Sequence, residues 1–356
     1  METSRIHPSF KLNGLSFDNP SDLLEFATKL KREGSPHEMS MGKFIYKWLD
    51  DDEFVKVKTS GSTGKPKKIK LAKQSMINSA AATGTYFKTG PDTTALLCLH
   101  PKFIAGKMML VRAMTLGWDL HVVAPEKDAL TQYDNKYDFA AMVPYQVHHS
   151  IQSLNKLKKL IIGGGPVSSE LEQLLDEVET ECFATYGMTE TITHIAVRRI
   201  NGMAKSEAYA ALPNVKFSTD VRGCLVIDAP QITPNTIITN DLVALETPTR
   251  FKWLGRFDNV INSGGVKIYP ETIEKKLSPF IDTSFIITSE KDKELGERLV
   301  LVIEHDDDDN IPNYKNAFEA LEPFEKPKRI YALSQFPYTD NGKIKRGMVK
   351  KVLEKK

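Results

Sequence analysis

Between residues 93 and 185 the chain alternates short apolar runs with helix-length segments, and this rhythm constrains the fold more than any other feature of the sequence. The runs at 95–99, 120–123, 139–143, 160–162 and 182–185 read as strands; the stretches at 107–116, 147–154 and 169–178 read as helices between them. Strands joined through helices imply βαβ units and a parallel sheet. Ligands of such sheets sit at the carboxyl ends of the strands. The loops after Leu99, Ile162 and Thr185 are therefore where binding residues are to be sought.

From residue 214 to 253 the pattern changes to short strands at 215–218, 224–227, 237–238 and 242–245, broken by Gly, Pro and Asn, which reads as a small antiparallel subdomain. Beyond Gly255 a compact set follows: strands at 260–262 and 266–268, a helix at 270–277, strands at 284–288 and 299–303, and a basic helix at 345–355. The expected fold class is α/β, with a large N-terminal domain of parallel sheet, flanking helices and β subdomain over 1–257, and a small α+β domain over 258–356. At 356 residues, 41% of them hydrophobic, the chain is long enough to bury two such cores. A net charge of +2 gives no argument for nucleic acid, and no apolar run is long enough to span a bilayer. The first fifteen residues mix polar with apolar side chains and lack a secretory core, and three scattered cysteines suit buried thiols; both point to the cytoplasm. The run 306–309 is four adjacent aspartates, which resist burial and read as a solvated loop.

Four segments carry chemistry. Thr59, Ser60, Gly61, Ser62, Thr63 and Gly64, followed by Lys65, Pro66 and Lys67, offer backbone amides, hydroxyls and two cations to an anion, without the spacing of a Walker loop. Alone, such a stretch is equally a surface turn. Tyr186, Gly187, Met188, Thr189 and Glu190 follow directly on a strand. There an aromatic ring suits a base and a carboxylate suits Mg²⁺, although Glu190 capping a helix and Tyr186 packing in the core is the plainer reading. Arg256 and Asp258 stand in a Gly255–Asn259 stretch just before Ser263, Gly264 and Gly265; arginine is suited to phosphate or ribose, and paired glycines to close backbone approach. Lys343 is presented from an Asp340-Asn341-Gly342 turn.

In this order and at these separations, the four segments resemble the motifs of the acyl/aryl-CoA ligase, luciferase and peptide-synthetase adenylation superfamily. The loop matches T-S-G-[ST]-T-G-x-P-K, residues 186–190 match Y-G-x-T-E, Arg256 and Asp258 match G-R-x-D, and Lys343 matches the lysine of P-x-x-x-x-G-K-[ILV]-x-R. The resemblance implies that a carboxylic acid is joined to AMP from ATP and then passed to a thiol. It implies that Lys343 bridges the carboxylate and the α-phosphate, that Ser60, Ser62, Thr63 and Lys67 steady the departing phosphates, and that Glu190 carries Mg²⁺ beside Thr189. Asp241, in Thr239-Asn240-Asp241, would accept the ribose hydroxyls; Gly163, Gly164, Gly165 and Pro166 would frame the adenine. The C-terminal domain would swing about Asp258 after adenylation, replacing Lys343 by Ser263, Gly264 and Gly265 along the path of coenzyme A. Three departures stand out: Asn240 for a usual glycine, Asn262 for a common lysine, and only about sixty residues before the loop, short for the superfamily.

Within the superfamily the chain is most similar to the o-succinylbenzoate–CoA ligases of menaquinone biosynthesis, on the segments 142–147, 186–191 and 263–270. The usual F-H-x-S-G segment reads Lys102-Phe103-Ile104-Ala105-Gly106, so its histidine is missing. A diacid substrate must have its unreacted carboxylate held, and buried anions need a cationic or hydrogen-bonding partner. His100 and His194 are expected to line the acid pocket and Lys107 to supply the cation, against the plainer readings of a core histidine and a solvated lysine. The implied reactants are the acid, ATP with Mg²⁺, and coenzyme A; the alternatives are loading of a carrier protein, or an adenylate-binding module without catalysis. A homo-oligomer is compatible with the sequence and not required by it.

Overall fold

A computed structural model describes residues 5–58, 68–131, 134–306, 311–338 and 344–354. The phosphate-loop residues 59–67 and Lys343 lie outside the described residues.

A two-stranded ribbon, β1 (Lys11–Leu12) and β2 (Leu15–Ser16), leads into a helical hairpin, α1 (Pro20–Glu33) and α2 (Pro36–Leu49). Both helices start on strong N-terminal signals: the Asn19 side chain accepts from the amides of Ser21 and Asp22, and Glu38 reaches back to the Ser35 amide at 2.8 Å. The hairpin buries Leu23, Ile45 and Trp48 against the main core. A separate antiparallel pair, β3 (Phe54–Lys58) and β4 (Lys68–Ala72), flanks the phosphate-loop segment and runs into α3 (Lys73–Phe87).

The expected alternation follows: β5 (Thr94–Leu97), α4 (Ile104–Leu116), β6 (Asp119–Val122), β7 (Tyr137–Met142), α5 (Pro144–His149), β8 (Leu157–Ile162), α6 (Ser169–Asp176) and β9 (Glu181–Gly187). Strands β6, β5, β7, β8 and β9 pair in parallel in that order. Their side chains alternate between two cores, which is the mark of a sheet covered on both faces. Ala95, Leu97, Phe139, Ala141, Ile161 and Phe183 face one core with α3 and α4; Leu96, Ala140, Met142, Leu160, Ile162 and Cys182 face the other with α5 and α6. The helix expected at 147–154 is broken instead: α5 ends at His149 and a 3₁₀ turn, Ile151–Lys156, continues.

The antiparallel set expected from 214 to 253 is present and is hydrogen-bonded into the same sheet. After β9 come β10 (His194–Arg199), β11 (Tyr209–Ala211), β12 (Lys216–Thr219), β13 (Cys224–Asp228), β14 (Ile237–Thr247) and β15 (Arg250–Arg256). The resulting order is β12-β13-β14-β15-β11-β10-β9-β8-β7-β5-β6-β1-β2. A 3₁₀ turn, Phe257–Asn259, containing Asp258, leads to a second sheet. It holds the hairpin β16 (Ile261–Ser263) and β17 (Val266–Ile268), then, after α7 (Pro270–Leu277), the antiparallel pair β18 (Phe285–Asp292) and β19 (Gly296–Glu304). After α8 (Lys315–Glu319), β20 (Arg329–Leu333) joins β19 in parallel, and α9 (Arg346–Leu353) packs Val349 against Ile286 and Val302. This sheet has its own core, with Ile273 and Leu277 of α7 against Ile287 and Leu301. No described helix is long and apolar enough to cross a membrane.

Candidate active site

A cleft of about 220 Å³ opens where the parallel strands end. Leu99 after β5, Met142 and Val143 at the end of β7, Gly163 and Gly164 after β8, and Gly187, Met188 and Thr189 at the end of β9 line it, so the three loops singled out in the sequence converge there. Ile104 and Arg112 of α4 form one wall, and Ile192, Thr193 and His194 another.

The loop from Met188 to Thr193 is knotted by one hydroxyl: Thr191 Oγ1 accepts from the Met188 amide at 2.9 Å and lies 2.8 Å from the Thr193 carbonyl oxygen, to which it donates. Ile192 is held at φ +66°, a conformation a β-branched residue adopts only under constraint, at a cost of roughly 1–3 kcal/mol. The backbone at Gly187 is squeezed equally hard. A Cβ there would stand 2.3 Å from the Thr193 carbonyl oxygen, so only glycine lets β9 and β10 close on each other.

The electrostatic centre of the cleft is Arg112, which is 1% exposed. Its Nε donates to Thr83 Oγ1 at 3.3 Å, and Nη2 reaches Thr193 Oγ1 at 3.3 Å and His194 Nδ1 at 3.2 Å. Among the described residues no carboxylate pairs with it, and burial pushes the guanidinium down to about 9. His194 is buried, and burial together with the neighbouring arginine charge holds its pKa well below the ordinary value. The ring is therefore neutral. Since Nδ1 accepts from arginine, the proton sits on Nε2, a buried atom without a partner among the described residues. The cleft thus presents a cation lacking a counter-charge and an N–H lacking an acceptor, in otherwise largely apolar walls.

A second cluster lies at β14 and β15. Asp241, 7% exposed, accepts from Tyr186 Oη at 2.6 Å, Trp253 Nε1 at 3.3 Å and Arg256 Nη1 at 3.3 Å. Burial and the adjacent carboxylate push the Tyr186 phenol far above its usual value, so it donates. Its ring meets Tyr209 and Phe251 edge-on. Arg256 also reaches Asp258 at 3.4 Å, and Asn240 donates to the same aspartate at 3.4 Å.

The cleft therefore gathers Gly163, Gly164, Gly187, Met188, Thr189 and His194, and a neighbouring cluster joins Tyr186, Asp241 and Arg256. Glu190 is exposed beside Thr189, which suits a Mg²⁺ held mainly by phosphate oxygens and water. Gly165 and Pro166 continue the loop outside the lining. Ser263, Gly264 and Gly265 form the β16–β17 turn in the second sheet, with φ of +57° and +84° at the two glycines, as a tight hairpin requires. His100 and Lys107 do not line the cleft. His100 accepts from the Lys102 amide at 3.2 Å; Lys107 donates to the Lys102 carbonyl at 3.1 Å and lies 6.0 Å from the Phe44 ring, and burial lowers its pKa. Among the described residues the cation that lines the cleft is Arg112, which the sequence reading passed over. The available signal was a single charged residue, an arginine, in the mostly apolar stretch from Met108 to Leu116. Among the described residues no three His, Cys, Asp or Glu side chains cluster as a metal site.

Comparison with known proteins shows the family. Residues 32–226 match the model of the AMP-binding enzyme family, described as AMP-binding enzyme. The chain is 27% identical over 305 residues to 2-succinylbenzoate–CoA ligase of Escherichia coli, covering 81% of this chain and 66% of that protein. It is 25% identical to a probable 2-succinylbenzoate–CoA ligase of Mycobacterium tuberculosis, covering 87% of each. Among solved structures, an acyl-CoA synthetase (AMP-forming)/AMP-acid ligase II-like protein from Dyadobacter fermentans is 37% identical, with a TM-score of 0.62 over 92% of this chain and 98% of that one. O-succinylbenzoate coenzyme A synthetase from Bacillus subtilis, solved with ATP and magnesium, shares the fold at a TM-score of 0.70 and 20% identity, over 83% of this chain and 69% of that one. With its family model spanning more than half of the sequence, this chain belongs to the AMP-binding enzyme family.

Proposed function

We propose that the chain is an ATP-dependent, AMP-forming acid–CoA ligase acting on a diacid, with o-succinylbenzoate as the substrate. The observation that carries this reading is the Arg112–His194 pair on the cleft. A buried cation without a counter-ion is costly, and a substrate carboxylate entering the cleft would supply the missing charge while accepting from His194 Nε2. The apolar side chains around it, among them Leu99, Ile104 and Met142, suit an aromatic body. The relatives named 2-succinylbenzoate–CoA ligase support the choice of acid.

In the first half-reaction the free carboxylate of the acid attacks the α-phosphate and pyrophosphate leaves. Two anions must approach, so the protein's contribution is positioning and charge stabilisation. Asp241 accepts the ribose hydroxyls, Gly163 to Pro166 border the adenine, and Thr189 adjoins the α-phosphate. Glu190 would hold Mg²⁺, which neutralises phosphate charge when bound. The phosphate-loop residues and Lys343 take the phosphate and carboxylate contacts that their motifs imply. Coenzyme A then takes the acyl group along a path bordered by Ser263, Gly264 and Gly265, after a swing at Asp258 that divides the chain at 257/258. The protein acts in the cytoplasm, on small molecules.

The test is product analysis. With ATP, Mg²⁺, coenzyme A and o-succinylbenzoate, the protein yields AMP and the acyl-CoA thioester, resolved by liquid chromatography. ATP–pyrophosphate exchange without thioester formation would move the acceptor from coenzyme A to another thiol; absence of exchange across aromatic diacids would reject the reading.

A further inference from the structure

The ribose acceptor is held by a residue that no motif predicts. Leu242 pairs with Gly255 and Val243 with Trp253, which leaves Leu254 as the extra residue of a β-bulge. In a regular strand, residues three apart point to opposite faces. The bulge removes that offset, and Trp253 and Arg256 both donate to Asp241 Oδ1, each at 3.3 Å. Tyr186 occupies Oδ2 at 2.6 Å.

We propose that Trp253 is a positioning residue of the nucleotide site, whose indole N–H fixes the Asp241 carboxylate in the orientation that receives the ribose hydroxyls. The inference rests on the ribose role given to Asp241 above. A carboxylate offers about four acceptor positions, and three are filled. A ribose diol donates two hydrogen bonds, so one existing donor has to yield. Arg256 is the one able to do so: its side chain is 42% exposed and it already reaches towards Asp258. The indole is planted on β15 by the bulge, and Tyr186 packs edge-on against the stacked rings of Tyr209 and Phe251. Trp253 and Tyr186 therefore stay, one on each oxygen, and prevent the carboxylate from rotating when the arginine leaves. Trp253 is also a natural reporter. Of the three tryptophans, Trp48 and Trp118 are fully buried, whereas Trp253 is 38% exposed.

The experiment compares binding of ATP, 2′-deoxy-ATP and 3′-deoxy-ATP by calorimetry in the wild type, W253F and D241N, with melting temperatures as the check on folding. The wild type prefers ATP. W253F keeps the ring and loses the N–H; its ATP affinity falls by about 3- to 10-fold, the typical net worth of one hydrogen bond, while its affinity for the deoxy nucleotides is unchanged. D241N abolishes the preference, and the ATP-induced change in wild-type tryptophan fluorescence disappears in W253F. A second pair separates donor from packing: W253H keeps a ring N–H and retains the preference, and W253L loses it. A W253F protein with the wild-type preference for ATP overturns the role of Trp253 and leaves Asp241 in place. A wild type that binds all three nucleotides equally overturns the ribose assignment and this inference with it.

Discussion

Arg112→Met removes the charge and the donors from the cleft and keeps a side chain of similar length. Arg112 is 1% exposed, so little water reaches the position to replace what is lost. A diacid bound there would leave its second carboxylate desolvated and unpaired, which typically costs about 2–5 kcal/mol. That corresponds to a loss in kcat/KM between roughly 30-fold and several thousand-fold. The free enzyme responds in the opposite direction. Its arginine bonds two hydroxyls and an imidazole and no carboxylate. Removing an uncompensated buried charge relieves a desolvation penalty of several kcal/mol, which outweighs the three hydrogen bonds given up. The variant should therefore melt at or above the wild-type temperature while losing activity towards o-succinylbenzoate, measured by release of pyrophosphate. Benzoate, which has no second carboxylate, should be affected less than about 3-fold, since it never used the cation. Lys107→Met is the control, because Lys107 bonds the Lys102 carbonyl and does not line the cleft. Equal losses for both acids in Arg112→Met, or a fall in melting temperature without loss of selectivity, would refute the reasoning.

Lys343→Ala is expected to suppress adenylate formation by about 2.7–4 kcal/mol or more in barrier height while transfer from supplied acyl-AMP to coenzyme A survives; equal losses in both half-reactions, measured separately, would make the lysine structural. Gly187→Ala forces a Cβ to within 2.3 Å of the Thr193 carbonyl oxygen. It should lower stability by about 1–3 kcal/mol in urea unfolding and impair adenylation through the displaced loop. His194→Gln should flatten the acid limb of the stability curve. The native imidazole titrates well below 6.5, so between that value and 6.5 the unfolded chain binds more protons and wild-type stability falls as pH is lowered. Melting temperatures from pH 7 down to 4 that fall equally in both proteins would count against a neutral His194.

The parallel half of the fold was legible because its pattern is strong: aliphatic strands alternate with helix-length segments, and turns separate them. The antiparallel half was harder to read. β14 runs unbroken from Ile237 to Thr247, yet Asn240 and Asp241 interrupt its apolar run and made it look like two short strands. Sheet membership is also a tertiary property, and no local signal shows that β11 links the two halves. In the site, Gly163, Gly164, Gly187 and Thr189 line the cleft, whereas Gly61 and Gly64 lie outside the described residues. Arg112 does not announce itself, since one arginine in an apolar helix looks like a tolerated exception until the fold shows what it faces. Trp253 is twelve residues from Asp241, and only the β14–β15 pairing with its bulge brings them together.

That pairing has a mechanical consequence. The strands that end at the acid cleft and the two that hold Asp241 belong to one hydrogen-bonded ladder, so stiffness is continuous between them. The ladder stops at Arg256, and the next regular pairing belongs to the second sheet. The swing proposed at Asp258 would place the compliance in the few residues between, the 3₁₀ turn Phe257–Asn259 and Val260. Amide exchange should divide along the same line, slow and uniform across the ladder and fast at the turn.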